Sequence, residues 1–168
     1  GGIDNTTANL EALAKIDSLD CNFYYLDTID ELIIHMSNLK TLICVDIALI
    51  ELDLSNNTKL EKLICCRNKL TNLDISNNIE LEILGCYKNK ITNLDLSNNI
   101  KLEELYCNNN QLTRLDISPL PVLVKLNCCS QAEGFILCLT DEQRSKFTAE
   151  HYCNAILQSN KLITDPQL

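Results

Sequence analysis

The chain has 168 residues, a formal net charge of −9 and a hydrophobic content of 46%, and its pI is near 4.6. The length suits one domain over residues 1–168. The acidic balance argues against nucleic acid or an anionic membrane surface as a partner, because both need a basic footprint. No apolar run approaches the length of a membrane span. The ten cysteines leave the redox compartment open, since thiols are core residues in either environment.

A short helix is predicted at the start of the chain, in the segment NTTANLEALAKI. Residues 5–7 offer three candidate N-caps, and Leu10, Leu13 and Ile16 follow at helical spacing. We expect residues 1–15 to form an N-terminal cap, which a repeat array needs to cover its outermost apolar residues.

A repeat of 21 residues dominates the middle of the chain. Three consecutive units read LEKLICCRNKLTNLDISNN, LEILGCYKNKITNLDLSNN and LEELYCNNNQLTRLDISPL. This self-similarity predicts a solenoid, in which each unit buries its apolar residues only by stacking on its neighbours. A looser unit that begins at Ile16 comes first, so we predict six rungs within residues 16–140.

Each unit contains two predicted extended segments. In LEKLICC, Leu63 and Cys65 alternate with Lys62 and Ile64, so a strand points the first pair into the core and the second pair outward. The segment LDIS repeats the alternation, and SNN then turns the chain, as Ser and Asn do by bonding to their own backbone. Stacking buries the leucines, each of which contributes about 1.5 to 3 kcal/mol.

One cysteine per unit falls at an inward strand position, which predicts a column of six thiols: Cys21, Cys44, Cys65, Cys86, Cys107 and Cys128. We favour free thiols that act as small hydrophobes in a narrow core. Disulfides between adjacent rungs are the alternative, which is disfavoured because in-register side chains point the same way. A zinc site is less favoured again, since no CxxC pair is present.

Four cysteines lie outside this column. Cys66 and Cys129 are predicted on the outward strand face, Cys138 at an inward place in the last rung, and Cys153 in the tail. An exposed Cys66 beside Arg67 is a candidate reactive thiol, because a neighbouring cation lowers a thiol pKa. A partly packed, unreactive role is favoured.

Two polar columns also follow the repeat. A row of asparagines, with Ile47 and Gln131 at the equivalent places beyond its ends, is expected to serve structure first, because buried amides must be paired. A row of aspartates is expected to accept backbone or hydroxyl hydrogen bonds. Binding of a cation such as calcium is the disfavoured alternative, since that ion takes six or more oxygens. The two rows are Asn68, Asn89 and Asn110, and Asp53, Asp74, Asp95 and Asp116.

The segment GFILCLTDEQRSKF predicts a strand from Phe135 to Leu139 that runs into a helix. Thr140 is the predicted N-cap, with Gln143 at the capping-box position. We expect residues 141–168 to form a helical C-terminal cap. The apolar side chains expected over the last rung are Phe147, Tyr152, Ile156 and Leu157.

The unit LxxLxCxxNxLTxLDLSNN resembles the leucine-rich repeat, whose signature is LxxLxLxxN/CxL. Its cysteine position resembles that of the cysteine-ladder internalins of bacteria, in which these cysteines are unpaired and the asparagine bonds the backbone. CLTDEQRSKF resembles the closing segment of leucine-rich repeat lipoproteins of gut anaerobes. The resemblance implies an α/β-class, right-handed solenoid with a parallel β-sheet on its concave face and short helical caps.

The resemblance also implies a bacterial protein that is secreted or attached to the cell surface, and Gly1 in place of Met predicts a processed chain. An immunoglobulin-like domain usually follows an internalin array. The 28 residues after Thr140 are too few for one, so invasion or adhesion does not carry over.

No catalytic residue, metal site or cofactor is predicted. His35 and His151 are the only histidines, and neither lies in a motif such as HExxH or GxSxG. A thiol or metal site of His151, Cys138 and Cys153 is the disfavoured alternative, because no recognised ligand or nucleophile motif contains them.

The outward residues of the parallel strands are the candidate binding site. They vary from unit to unit while the inward positions do not, and solenoids use this surface to bind partners. We predict a non-enzymatic, monomeric protein-binding module, with a glycan as the alternative ligand. The predicted contact residues are Ile43, Lys62, Ile64, Ile83, Tyr87, Glu104, Tyr106 and Asn108.

Two other function classes stay open. A structural spacer with no specific ligand predicts that substitutions on the concave face are silent. A thiol-based redox protein predicts a cysteine of depressed pKa that reacts in the folded state.

Overall fold

The computed structural model describes residues 10–22, 29–153 and 155–159. The candidate N-caps at residues 5–7 lie outside this range. Residues 10–13 are helical. Leu13 and Ile16 pack against the core, whereas Leu10, predicted on the same apolar face, is exposed. After this first helical turn, the strands and helices are, in chain order, β1 (Ser18–Asp20), α1 (Asp30–Ile33), β2 (Thr41–Ile43), β3 (Lys62–Ile64), β4 (Ile83–Gly85), β5 (Glu104–Tyr106), β6 (Arg114–Asp116), β7 (Lys125–Asn127), β8 (Ile136–Leu139), α2 (Asp141–Lys146), α3 (Ala149–Tyr152) and β9 (Ile156–Ser159).

Six strands form one parallel sheet in the order β1-β2-β3-β4-β5-β7. From β2 to β7 each strand residue pairs with the residue 21 positions further along the chain, as Leu42 does with Leu63 and Leu63 with Leu84. The step from β1 is longer and pairs Leu19 with Leu42. The predicted parallel solenoid of six rungs is therefore confirmed, and its register follows the repeat.

A second, three-stranded parallel sheet has the order β6-β8-β9. β6 belongs to the second extended segment of its unit, and β8 pairs with it through Leu115 and Leu137. β9 then adds Leu157 beside Leu137. This strand was not predicted, because residues 141–168 were expected to be helical.

The predicted inward place of Cys138 in the last rung is wrong. Cys138 pairs with Asp116, an outward residue of β6, while Leu137 and Leu139 point into the core. Its thiol donates to Gln158 Oε1 over 3.7 Å. Cys138 is buried because it lies between Asp116 of β6 and Gln158 of β9 in the same sheet.

The core is one continuous cluster formed by the inward residues of successive rungs. Leu63, Leu84 and Leu105 at the strand centres have no exposed surface. All six ladder cysteines are buried and free. The structure thus confirms the prediction that these thiols fill the core as small hydrophobes, and the alternative of disulfides along the ladder is wrong. Within the described ranges, no helix has the length and apolar character needed to cross a bilayer.

The C-terminal cap begins with the predicted capping box. Thr140 Oγ1 accepts a hydrogen bond from the Gln143 backbone N–H over 3.1 Å, and Gln143 Oε1 accepts one from the Thr140 N–H over 2.9 Å. Phe147 is buried, and Tyr152 and Leu157 pack against the core. Ile156 was expected over the last rung but is 57% exposed, since it lies on the outer side of β9.

A disulfide joins Cys129, just after β7, to Cys153, just after α3. Beside it, the Cys128 N–H donates to the His151 carbonyl oxygen over 2.9 Å. α3 therefore occupies the place next to β7 that a seventh rung would take. The outward place of Cys129 and the tail position of Cys153 were predicted, whereas the bond between them was not.

Candidate functional site

The outward face of the six-stranded sheet, called the sheet face below, carries three columns of side chains. One column lies at the start of the strands and a second at their ends, both fixed by the strand register. The third follows the strands, and backbone hydrogen bonds such as Arg67 N–H to Tyr87 O, 2.9 Å, keep it in step. In order, the columns are Thr41, Lys62, Ile83, Glu104 and Lys125; Ile43, Ile64, Gly85, Tyr106 and Asn127; and Val45, Cys66, Tyr87, Asn108 and Cys129.

All eight predicted contact residues lie on the sheet face, and each is half-buried. Ile43 and Ile64 are neighbours in the second column, while Tyr87 and Asn108 belong to the third. Half-burial leaves part of every side chain available to a partner while the rest packs against adjacent rungs. The structure thus brings the candidate residues together on one surface.

Tyr106 is held on this surface by Glu104. The Tyr106 hydroxyl donates to Glu104 Oε2 over 3.0 Å, and Lys125 Nζ donates to Glu104 Oε1 over 2.6 Å. The hydrogen bond from Lys125 is the main cause that lowers the pKa of Glu104. Burial and then Glu104 raise the pKa of Tyr106. The ring therefore presents a fixed, neutral phenol.

Gly85 has no side chain and therefore leaves a shallow depression in the second column, between Ile64 and Tyr106. A Cβ at this position would lie 3.0 Å from Ile64 Cδ1 and 3.3 Å from Cys66 Sγ. The side chains of Ile64 and Cys66 therefore lean over the Gly85 backbone. The result is an apolar floor, and a side chain at this position would require Ile64 and Cys66 to shift slightly.

Cys66 is fully buried on the sheet face, so the exposed, reactive thiol considered beside Arg67 is wrong. Burial raises the pKa of the Cys66 thiol to about 11, although hydrogen bonds with Tyr87 oppose the rise. The thiol is accordingly neutral at physiological pH. The packed position is confirmed, and the lack of reactivity stays a prediction.

Burial also raises the pKa of every other free cysteine among the described residues. For Cys128, at the end of the ladder, it raises the pKa to about 12. A thiol reacts as its thiolate. The depressed pKa that a redox protein needs is absent from these cysteines.

The three residues considered as a thiol or metal site, His151, Cys138 and Cys153, are each bonded to a different partner. His151 Nδ1 caps α3 by contacts with Thr148, including 3.0 Å to its backbone nitrogen. Cys153 is oxidised in its disulfide, and Cys138 bonds to Gln158. His151 and Cys153 thus serve the C-terminal cap, and Cys138 lies in β8.

The predicted asparagine row bonds the backbone of two rungs at once. Asn89 Nδ2 donates to the carbonyl oxygens of Cys65 and Cys86, each at 3.0 Å. Its Oδ1 accepts from the Leu70 N–H over 3.1 Å. Gln131 continues the row, since its side chain accepts from Leu112 N–H and donates to Cys107 O. The structural role is confirmed.

A second buried row was missed. Asn57, Asn78 and Asn99, the last residues of the SNN segments, are fully buried or nearly so. Asn99 Nδ2 donates to Ile75 O and Asn78 O, and Gln143 of α2 makes the equivalent bonds to Ile117 O and Leu120 O. The recurrence of asparagine at one register position was the available signal.

The aspartate column accepts backbone hydrogen bonds, as predicted. In all four units of this column an Asp Oδ1 accepts from the N–H of the serine two residues later, for example Asp74 from Ser76 over 3.0 Å. These bonds are the main cause that lowers the pKa of Asp53, Asp74 and Asp95. The column therefore shapes turns.

No protein-family model matches the chain, and no curated protein matches it. Solved structures do match. The functional domain of InlJ from Listeria monocytogenes, described as including a cysteine ladder, is 28% identical with a TM-score of 0.56, and the match covers 76% of this chain and 35% of that one. A leucine-rich repeat protein of Leptospira interrogans is 27% identical with a TM-score of 0.62, covering 79% of this chain and 35% of that one.

Internalin C2 of L. monocytogenes shares the fold at 22% identity, with a TM-score of 0.68 and coverage of 92% of this chain and 66% of that one. The chain thus spans about a third of the InlJ and Leptospira chains. We conclude that the chain has the leucine-rich repeat fold of the bacterial internalins and contains, as InlJ is described to do, a cysteine ladder.

Proposed function

We propose that the chain is a non-enzymatic recognition module that binds a protein partner through the sheet face, on a secreted or surface-attached protein. The observation that carries this proposal is the grouping of all eight candidate side chains, half-buried, on one continuous surface. Their chemistry changes from rung to rung, whereas Leu and Cys recur beneath them.

The composition of the sheet face favours a protein over a glycan. Ile43, Ile64 and Ile83 supply apolar area that a sugar does not use, and Tyr87 and Tyr106 supply the side chain most often found at binding hot spots. The bond from Tyr106 to Glu104 fixes one ring before any partner arrives. A fixed side chain loses less entropy on binding.

The test is capture of partner proteins on the immobilised chain, beside a Tyr87→Glu, Tyr106→Glu variant. Circular dichroism checks that this variant and its control are folded. A matched control places two glutamates at Thr92 and Thr113, which are exposed and lie away from the sheet face. Capture by the native chain and the control, with loss in the tyrosine variant, supports the proposal.

Equal capture by all three chains would place the site on another surface. Absence of capture by any of them would favour the spacer alternative, in which the chain has no specific ligand.

A further inference from the structure

Four cations gather on two adjacent rungs of a chain whose net charge is −9. Arg67 and Lys69 in one unit, and Lys88 and Lys90 in the next, occupy equivalent positions just after the third column of the sheet face. All four are exposed. We call these four residues the basic ridge.

The backbone fixes the basic ridge. The Arg67 and Lys88 N–H groups donate to Tyr87 O and Asn108 O over 2.9 and 3.0 Å, and those of Lys69 and Lys90 donate to Leu49 O and Leu70 O over 2.8 and 2.9 Å. The backbone of each of these residues is therefore about 4.8 Å from the backbone of its equivalent on the neighbouring rung. Like charges at that spacing repel.

The charge of the basic ridge is largely uncompensated. Arg67 has one ion pair, with Asp46 over 3.4 Å, between side chains that are about half exposed. Among the described residues no carboxylate lies within ion-pair distance of the three lysines. Elsewhere the array does match its cations, since Lys40, Lys101 and Lys125 each pair with a glutamate one rung away.

The basic ridge is continuous with the sheet face. Arg67 and Lys88 directly follow Cys66 and Tyr87 in the chain. The Arg67 N–H donates to Tyr87 O over 2.9 Å, so Arg67 and Tyr87 are neighbours on adjacent rungs. A ligand that covers Tyr87 therefore reaches the ridge.

We propose that the basic ridge binds an Asp/Glu-rich segment of the protein partner that occupies the sheet face. This inference rests on the proposed function, because it takes the partner to be a protein. Charge complementarity selects the acidic segment. The adjoining apolar surface of Ile64 and Tyr87 selects a polypeptide over a sulfated glycan, which offers anions without apolar side chains.

The test uses three probes on the intact chain: a glutamate–tyrosine copolymer, polyglutamate and heparin. The ridge variant is Lys69→Gln, Lys88→Asn, Lys90→Gln. The control, Lys40→Gln, Lys59→Gln, Lys101→Gln, also loses three positive charges, but at exposed positions outside the basic ridge. Dissociation constants are measured by fluorescence anisotropy at two salt concentrations, after circular dichroism and thermal melting have confirmed that each variant is folded.

The expected result is that the native chain binds the copolymer more tightly than polyglutamate, and that the ridge variant weakens this binding by roughly tenfold or more while the control changes it little. The native chain should also lose affinity as salt rises, and the ridge variant should lose less. Equal weakening by ridge variant and control, no binding of either polypeptide by the native chain, or tighter binding of heparin than of the copolymer would overturn the inference.

The Tyr87→Glu, Tyr106→Glu variant separates this inference from the proposed function. Copolymer binding that survives the ridge variant but not the tyrosine variant overturns the ridge and leaves the sheet face supported. Binding that survives the tyrosine variant but not the ridge variant supports an acidic ligand on the ridge and contradicts the sheet face.

Discussion

The amide of Asn78 donates a hydrogen bond to the backbone carbonyl of Asn57, one rung earlier, over 2.9 Å. A second bond from the same amide reaches Leu54 O over 3.3 Å. Because Asn99 repeats the arrangement on Asn78, the turns of successive rungs are linked by side chains as well as by the sheet. This row stabilises the edge of the solenoid where the apolar core ends.

Substitution Asn78→Ala should destabilise the chain by about 1 to 3 kcal/mol, because it leaves buried carbonyl groups without their donor. The free energy of unfolding is measured by urea denaturation. Asn77→Ala is the matched control, since Asn77 is the exposed neighbour in the same turn and should change stability by less than about 0.5 kcal/mol. Equal effects of the two substitutions would show that the buried row contributes nothing particular.

Removal of the Cys129–Cys153 disulfide should loosen the C-terminal cap. The bond closes a loop between residues 24 apart in sequence, so the double variant Cys129→Ser, Cys153→Ser should lose about 3 kcal/mol of unfolding free energy. Reductant should destabilise the native chain by a similar amount and leave the double variant unchanged. A native chain whose urea midpoint ignores reductant would contradict a stabilising role for this bond.

Cys66 should resist alkylation at neutral pH in the folded chain. Its pKa is raised to about 11, and the thiolate is the reactive form, so the rate should stay low through pH 8 and rise only as the pH approaches that value. Iodoacetamide labelling followed by peptide mass spectrometry measures the alkylation rate of Cys66. Cys153, which is exposed and directly follows α3, is the internal control and should label first once reductant is added. Fast labelling of Cys66 at pH 7 would restore the reactive-thiol interpretation.

The repeat made much of this fold predictable. In a solenoid each residue stacks on its equivalent one unit later, so the 21-residue period alone placed Leu63 beside Leu84 and Ile43 beside Ile64. The capping box at Thr140 was predictable because it is local and needs only residues three apart. The sheet-face position of the candidate contact residues follows from the same register, whereas their binding role stays a prediction.

The cap beyond the repeat was less predictable, for a physical reason. Cys153 lies 24 residues after Cys129 and outside the period, so its partner depends on how α3 docks beside β7. Cys138 was misplaced because β8 pairs with β6 and not with the six-stranded sheet. Docking of this kind is decided by tertiary packing, which the local pattern does not encode.

The left-handed backbone after the third column was also missed. Positive φ values recur at one position of five successive rungs, and the side chains there share no chemistry: Asp46, Arg67, Lys88, Asn109 and Ser130 have φ of 59°, 59°, 55°, 57° and 57°. Glycine or asparagine usually marks such a position. The exact stacking of the backbone imposes the conformation on whatever residue the unit supplies.

Lys88 offers a test of what that conformation costs. Asparagine tolerates positive φ better than lysine, whereas valine does not tolerate it, so Lys88→Asn should stabilise the chain by about 0.5 kcal/mol and Lys88→Val should destabilise it by about 1 to 2 kcal/mol. Urea denaturation again gives the values.

Lys90→Val is the matched control for this substitution, because Lys90 is exposed on the same ridge but does not have a positive φ. It should change stability by less than about 0.5 kcal/mol. Equal losses in Lys88→Val and Lys90→Val would contradict a backbone origin. A Lys88→Asn chain that is more stable, yet binds the glutamate–tyrosine copolymer less well, would show that the ridge holds a cation where an amide folds better. Such a result ties the lysine to recognition, because stability alone would favour its replacement.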